Sequence, residues 1–371
     1  MRILAVDIGT GTQDILLFDS RYSVENALKL VMPSPTLRIA REVEAATRRG
    51  EPLLLTGVTM GGGPSSWAVE HHIKAGLPVY ATPAAARTFN DDLAEVAAMG
   101  VQVVGDDEAA TVRAACHIVL RDFDPDMVRT ALAAFGVDMD VDAVCLAVFD
   151  HGDAPPGVSD RRFRFDYLRD RLAEGHGLAG FAFWADAIPA RFTRLKAVAA
   201  SAPLGPKALV MDTGPAAVLG ALEDPHVREG AVDGAVVANI GNFHTLAFHL
   251  VGSRIVGLFE HHTGEVTPAG LAAYLRKLAD GTITNDEVFY DKGHGAIGGA
   301  VDRPAAFFAV TGPRRGHLRG TGLAAYPAVP HGDMMLAGAY GMLRALAAHD
   351  SAHGDEITAA LDGTAAPQSL W

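Results

Sequence analysis

Cysteine is nearly missing from this chain: Cys116 and Cys145 are the two among 371 residues. Both stand in apolar runs, the usual setting of buried free thiols. Two sulfurs so far apart cannot supply a four-thiolate iron–sulfur cluster or an all-cysteine zinc site. Basic charge is also scarce. There are 31 Lys and Arg against 44 Asp and Glu, a formal net charge of −13. That excess argues against a protein whose main work is gripping nucleic acid or an anionic membrane, since both need basic patches. A small anionic ligand stays compatible, because a few backbone N–H groups can hold it whatever the net charge. No apolar stretch is long and charge-free enough to span a bilayer. The start, Met1-Arg2-Ile3-Leu4-Ala5-Val6-Asp7, reaches an acid too soon for a signal-peptide core. The expectation is a soluble, cytoplasmic protein with neither nucleic acid nor membrane as partner.

What is present fits an ordinary globular protein, with 49% apolar and 20% charged residues. The length exceeds that at which one core usually keeps growing, so two domains are expected. Short apolar runs at Ile3–Asp7 and Asp14–Phe18 flank a Gly/Thr turn and read as strands, with Ala27–Val31 as a third. Thr36–Arg49 carries an apolar stripe at helical spacing, Leu37, Ile39, Ala40, Val43 and Ala46. Strands at Leu53–Val58, Val79–Ala81 and Val101–Gly105 alternate with helices at Ser65–Ala75 and Ala84–Ala98. That alternation predicts a parallel α/β layer. The middle is less regular, with a strand at Val144–Asp150, a loop at Asp150–Asp160 and helices at Arg162–Glu174 and Pro189–Ala200.

A second half opens near Lys207. A strand at Ala208–Met211 runs into a small-residue helix, Gly214–Leu222. Ala235–Asn239 and Thr245–Leu250 make another hairpin pattern, and Arg254–Glu260 could follow as a third strand. Thr267-Pro268 is a good helix start, an N-cap followed by proline. A strand at Ala306–Val310, a helix at Asp333–Ala348 with Asp333 as N-cap, and a frayed tail at Thr364–Leu370 complete the chain. Strand–polar turn–strand thus occurs twice, once near the start of each half, and this duplication is the most informative feature of the sequence.

Each hairpin offers a particular chemistry. In Asp7-Ile8-Gly9-Thr10-Gly11-Thr12 an acid ends a buried strand and a Gly/Thr turn follows. Glycines let successive N–H groups close on an anion, and threonine hydroxyls add donors. A carboxylate beside a phosphate makes sense with a cation between them, and Mg²⁺ suits that place. An ordinary hairpin with a turn-capping aspartate is the competing reading. The second hairpin, Asn239-Ile240-Gly241-Asn242-Phe243-His244-Thr245, repeats the plan with an amide where the first has an acid. Near the end, Gly312 closes a strand, and Gly338 and Gly341 lie three apart on a helix. Such a flat face can receive a purine ring or, more commonly, another helix.

Together these residues resemble the actin-like ATPase superfamily, which includes sugar kinases, heat-shock chaperones and hydantoinase-type activating subunits. Gly214-Pro215-Ala216-Ala217 is similar to the hydantoinase branch in particular. Over nearly its whole length, the chain also resembles a prokaryotic family labelled pyruvate formate-lyase activating enzyme. Met60-Gly61-Gly62-Gly63-Pro64, His72-Ile73-Lys74-Ala75-Gly76 and Pro330-His331-Gly332-Asp333 carry that likeness. The superfamily resemblance implies an α/β, two-lobed, duplicated ribonuclease H-like fold with a central cleft. Its lobes would be 1–205 and 206–371. ATP and Mg²⁺ would be the cofactors, with Asp7 at the metal. Asp7, Gly9, Thr10, Gly11 and Thr12 would form the first phosphate hairpin. Asn239, Gly241, Asn242, His244 and Thr245 would form the second, and Gly312, Gly338 and Gly341 the adenosine site. An ATPase or small-molecule kinase is implied, acting on a small molecule or a protein client, with homodimerisation left open. Because the superfamily usually has a second acid at the place of Asn239, a nucleotide-gated activator or a binder of another anion is the alternative. Two cysteines do not allow a radical iron–sulfur activase.

Other residues have a bland and a chemical reading. Asp150 could serve as the catalytic base of a kinase, although loop capping is commoner. His261-His262 could join His244 or His294 at a metal, but neighbours on a strand point to opposite faces. His71-His72 is weighed in the same way. Thr59–Pro64 could floor a substrate site, and Arg314, Arg315 and Arg319 could meet an acidic group or form a solvated loop.

Overall fold

The strand Arg2–Ile8 is buried from Ile3 to Ile8, as a strand covered on both faces must be. It pairs antiparallel with Thr12–Asp19 and parallel with Ala143–Val148. The computed structural model describes the chain except for residues 114–115, 156, 203–204, 300, 366–367 and 369–371. Much of the tail expected to fray therefore lies outside the described residues. Among the described residues the fold is mixed α/β with three sheets. The first runs in the order Leu28–Pro33, Thr12–Asp19, Arg2–Ile8, Ala143–Val148, Lys207–Asp212, Ala182–Trp184. It therefore takes a strand from beyond residue 205.

The second sheet runs Gly295–Ile297, Arg254–His262, His244–Val251, Ala235–Ile240, Phe307–Thr311, Tyr326–Pro327. Five consecutive strands of the two sheets correspond. In each, three antiparallel strands in sequence order are followed by two strands parallel to the first. Side-chain alternation divides the second sheet's faces. Ala235 and Val237 join the core of the first sheet, while Val236, Ala238 and Ile240 pack toward the helix Pro268–Ala279. The third sheet is all parallel, in the order Val101–Val103, Val79–Ala81, Leu53–Gly57, Cys116–Leu120. It is formed by the segment between Pro33 and Ala143, as the strand–helix alternation predicted for all but its last strand.

Helix boundaries follow capping chemistry. Pro35–Arg49 starts where Ser34 accepts from the Leu37 N–H and ends at Gly50 with φ 70°. The helix expected at Ala84–Ala98 is two short pieces, Pro83–Ala86 and Leu93–Ala98, because Asp92 takes the Ala94 N–H and restarts the turn. The helix expected from Pro189 begins at Thr193. Asp333 does not cap the helix expected there. Its carboxylate accepts from the Met335 N–H, and the helix runs Ala337–His349. That helix crosses Thr213–Ala221 where Gly220 and Gly341 meet, each so close to the other backbone that a Cβ would overlap it. No helix among the described residues is long and apolar enough to cross a membrane.

Candidate functional site

Both hairpins close by the same bond. Gly9 N–H donates to Thr12 C=O at 2.9 Å, and Gly241 N–H donates to His244 C=O at 2.9 Å. The turns face each other. At Gly11 a Cβ would overlap the Asn242 amide, so the tips touch because the first carries no side chain there. Between them lies a cleft of about 110 Å³, lined by Asp7, Gly9, Thr10 and Thr12 from one side and by Asn239, Gly241, Asn242 and His244 from the other. Gly312 and Gly338 complete its wall. Gly312, at φ 93°, comes against the Asn239 side-chain oxygen and the Ile240 carbonyl. A side chain there would be strained and obstructed.

The acids of the first hairpin dominate the electrostatics. Asp7 and Asp14 are cross-strand partners, each 8% exposed. Burial pushes the Asp7 carboxyl up to about 7, against a 2.5 Å hydrogen bond from the Thr213 hydroxyl, and the Asp212 charge pushes the same way. Burial also pushes Asp14 up to about 8, with the charges of Asp7 and Asp333 adding to it. One Asp14 carboxylate oxygen is buried with no hydrogen-bond partner among the described residues. Two buried acids side by side, one with an orphan oxygen, make a donor set suited to a hard cation. Gly338 stands against the Asp7 carboxylate, in the space where any side chain would displace it.

A second charged layer lies behind this pair. Arg164, fully buried, donates to Asp212 at 2.5 Å and to Glu260 at 2.8 Å, and to the Asp150 carbonyl at 2.9 Å. Burial opposes its charge, but the two carboxylates hold it protonated. Burial pushes Glu260 up to about 7, with Arg164 pulling it down. The guanidinium lies 3.8 Å from the centre of the Phe149 ring, on which His244 also stacks, at 3.9 Å. Arg194, gripped by Asp122 at 2.7 and 2.9 Å, donates to the Phe149 carbonyl and lines the cleft. Asp122 also accepts from the Gly61 N–H, which ties the glycine loop Met60–Pro64 to this wall. That loop reaches Thr10: a Cβ at Gly63 would be 3.5 Å from its methyl.

Some expected site residues stand elsewhere. Asp150 is buried as a loop cap: its two oxygens accept from Gly152 N–H and Leu195 N–H, both at 2.8 Å. The carboxylate is thereby spent on backbone, contrary to the catalytic-base expectation. Thr245 is not among the residues lining the cleft, and its hydroxyl is bonded at 2.9 Å to that of Thr263, just past the strand Arg254–His262. Gly341 serves helix crossing against Ala216 and Gly220, the commoner reading of a small-residue pair. Arg314 and Arg319 are exposed and Arg315 half-buried, outside the cleft. His261 and His262 do point to opposite faces: His261 stacks with Tyr274, whereas the His262 ring centre is 5.0 Å from that of His244. His72 is buried in its helix, bonded to Thr47 at 2.8 Å.

Arg164, Asp212, Glu260, Asp14, Thr213, Phe149 and Arg194 were not singled out from sequence as site residues. The trace for Arg164 was weak. It sits in Asp160–Glu174, a helix with five arginines that reads as a solvated face, although Phe163, Phe165 and Tyr167 around it signal burial.

Comparison with known proteins adds a family. No curated protein matches the chain. Among solved structures, an exopolyphosphatase-like protein aligns over 78% of this chain at 10% sequence identity, with a TM-score of 0.22. The aligned region spans 57% of that protein's length. The family model described as "Putative pyruvate format-lyase activating enzyme (DUF1786)" matches residues 60–317, more than half of the sequence, and the chain belongs to that family.

Proposed function

We propose that this protein binds the phosphates of a nucleotide, ATP, together with Mg²⁺, in the cleft between the Asp7–Thr12 and Asn239–Thr245 turns. The observation that carries the reading is the buried Asp7–Asp14 pair at the root of a glycine turn. Two acids in one buried place repel each other and stay partly protonated near neutral pH. A divalent cation would relieve that repulsion and present an attractive face to phosphate. Asp7 and Asp14 would hold the ion through carboxylate oxygens or its waters, and the ion would neutralise phosphate charge. The turn amides and the Thr10 and Thr12 hydroxyls supply donors to the same anion. The two corresponding five-strand sheets with facing turns support an actin-like, two-lobed arrangement for the whole chain.

A cleft of about 110 Å³ is smaller than the roughly 300–1,000 Å³ typical of small-molecule sites. Admitting a nucleotide therefore requires the Gly11–Asn242 contact to part, so binding and opening of the cleft are coupled in this reading. Phosphoryl transfer to a small molecule or hydrolysis would follow from positioning and charge neutralisation. The second reading, a nucleotide-gated activator with little turnover, is favoured by Asn239, which carries no charge, and by the use of Asp150 as a cap. The family's printed description names a radical enzyme. The donor set of this chain does not fit it: Cys116 and Cys145 lie in different sheets, and a third thiol is lacking.

Thermal-shift measurement against ATP, GTP, ADP and inorganic phosphate, each with and without Mg²⁺, tests the proposal. A ligand that binds the native state raises the melting temperature by mass action. The expected result is a shift with ATP that depends on Mg²⁺. The absence of a shift with every nucleotide, under both conditions, would overturn it.

A further inference from the structure

We propose that His151, His244 and His294 form a binding site for a divalent transition-metal ion of the zinc class, with one coordination position open toward the cleft. The three residues come from separate parts of the fold: the loop after Ala143–Val148, the second hairpin, and the turn before Gly295–Ile297. Each offers one ring nitrogen, and the three nitrogens lie within 4.8 Å of one another. A point therefore exists within about 2.8 Å of all three, against a Zn–N distance of about 2.0–2.1 Å. Side-chain rotation of under an ångström per ring closes the difference. Three imidazoles with a fourth place open is the donor set of a catalytic zinc site.

The unmade hydrogen bonds point the same way. His294 is 1% exposed, and neither of its ring nitrogens has a partner among the described residues. The Nε2 of His244 is also buried without a partner among them. A neutral imidazole wants one donor and one acceptor contact, and an apolar ring would pack here without that cost. The buried Arg164 is balanced by Asp212 and Glu260 and Arg194 by Asp122, so a further cation does not meet an uncompensated charge there. His262 walls the group, its ring centre 4.7 Å from that of His294. Its Nδ1 is engaged with the Lys292 carbonyl at 2.8 Å. His244 and Phe149 both line the cleft, so an ion here would face it, where water or an anionic oxygen could complete the coordination. This site goes beyond the nucleotide reading and does not depend on it.

The test uses the full chain without a polyhistidine tag, stripped with a chelator and titrated with Zn²⁺ in a calorimeter. A parallel titration with Co²⁺ is followed by the visible absorption of tetrahedral cobalt. One equivalent of each ion and a tetrahedral Co²⁺ spectrum are expected. His294→Leu and His151→Ala should each weaken Zn²⁺ binding on the order of 100-fold or more, since loss even of an outer-shell partner costs 10–100-fold. His294→Leu should also match or exceed the thermal stability of the metal-free protein, because it removes two unpartnered nitrogens. If that variant fails to fold, His151→Ala decides the matter. No stoichiometric Zn²⁺ or Co²⁺ binding, or binding unchanged in both variants, would overturn the proposal and leave an aromatic cluster or a trapped water. The Mg-ATP thermal shift of the His151→Ala protein, read alongside, separates the fate of this site from that of the nucleotide reading.

Discussion

The two hairpins share a backbone and differ in chemistry. Each ends a buried strand, turns on a glycine whose N–H bonds the carbonyl three residues on, and returns as an antiparallel strand. In register, Asp7 of the first corresponds to Asn239 of the second, and Asp14 to Leu246. One copy therefore holds two buried acids, while its counterpart has an amide and an aliphatic side chain. In the proposed reading the first would organise a cation, and the second would contact an anion through its turn amides and Asn242. On that reading, duplicated geometry would set where an anion sits, whereas the side chains at two register positions would decide which half manages its charge.

Substitutions can break that asymmetry or sharpen it. The largest effect is expected at Gly338, where a methyl would overlap the Asp7 carboxylate. Gly338→Ala should lower stability by about 1–3 kcal/mol or more by overpacking and remove Mg-dependent nucleotide binding, read by chemical denaturation and calorimetry. Next comes Asp14→Leu, which gives the first hairpin the residue of the second. Both Asp7 and Asp14 have folded pKa values raised above the unfolded 3.8, to about 7 and about 8. The native state thus binds more protons than the unfolded one between about pH 4 and pH 8, and stability falls as pH rises across that window. Asp14→Leu should stabilise the metal-free protein at pH 8 by about 2 kcal/mol or more, with a gain that shrinks toward pH 4. Melting curves from pH 4 to 9 check this, and an equal gain at every pH would count against the acid-pair account. The smallest effect on stability is expected from Asn239→Asp, which is near-isosteric. It gives the second hairpin the acid of the first and should raise ATP turnover, measured by phosphate release. Unchanged turnover would mean that the missing acid is not what limits hydrolysis.

Much of this asymmetry was legible in the sequence, for physical reasons. Ile3–Asp7 and Asp14–Phe18 announce themselves because a buried strand reads as an unbroken apolar run and glycine marks the turn. The helix after Ser34 was readable from its cap and stripe. The charged layer behind the cleft was not. Asp212 and Glu260 lie 48 and 96 residues along the chain from Arg164, and local patterns carry no signal for pairing at that range. Of the three histidines of the proposed metal site, His244 and His294 were named as possible metal ligands, but with the His261-His262 pair as their partner, because nothing local ties His151 to them. Gly338 and Gly341 show the limit from the other side. Their spacing revealed a flat helix face, but tertiary packing decided that one would meet a carboxylate and the other a helix.

The central claim is that Asp7 makes phosphate binding depend on a cation. Calorimetric titration of ATP into the wild-type protein and into Asp7→Asn, each with and without Mg²⁺, tests it most directly. The wild type should bind ATP at least about 100-fold more tightly with Mg²⁺ than without, a difference of about 2.7 kcal/mol, and in Asp7→Asn the two conditions should converge. Equal affinity with and without Mg²⁺ in the wild type, or an undiminished Mg²⁺ effect in Asp7→Asn, would contradict the account.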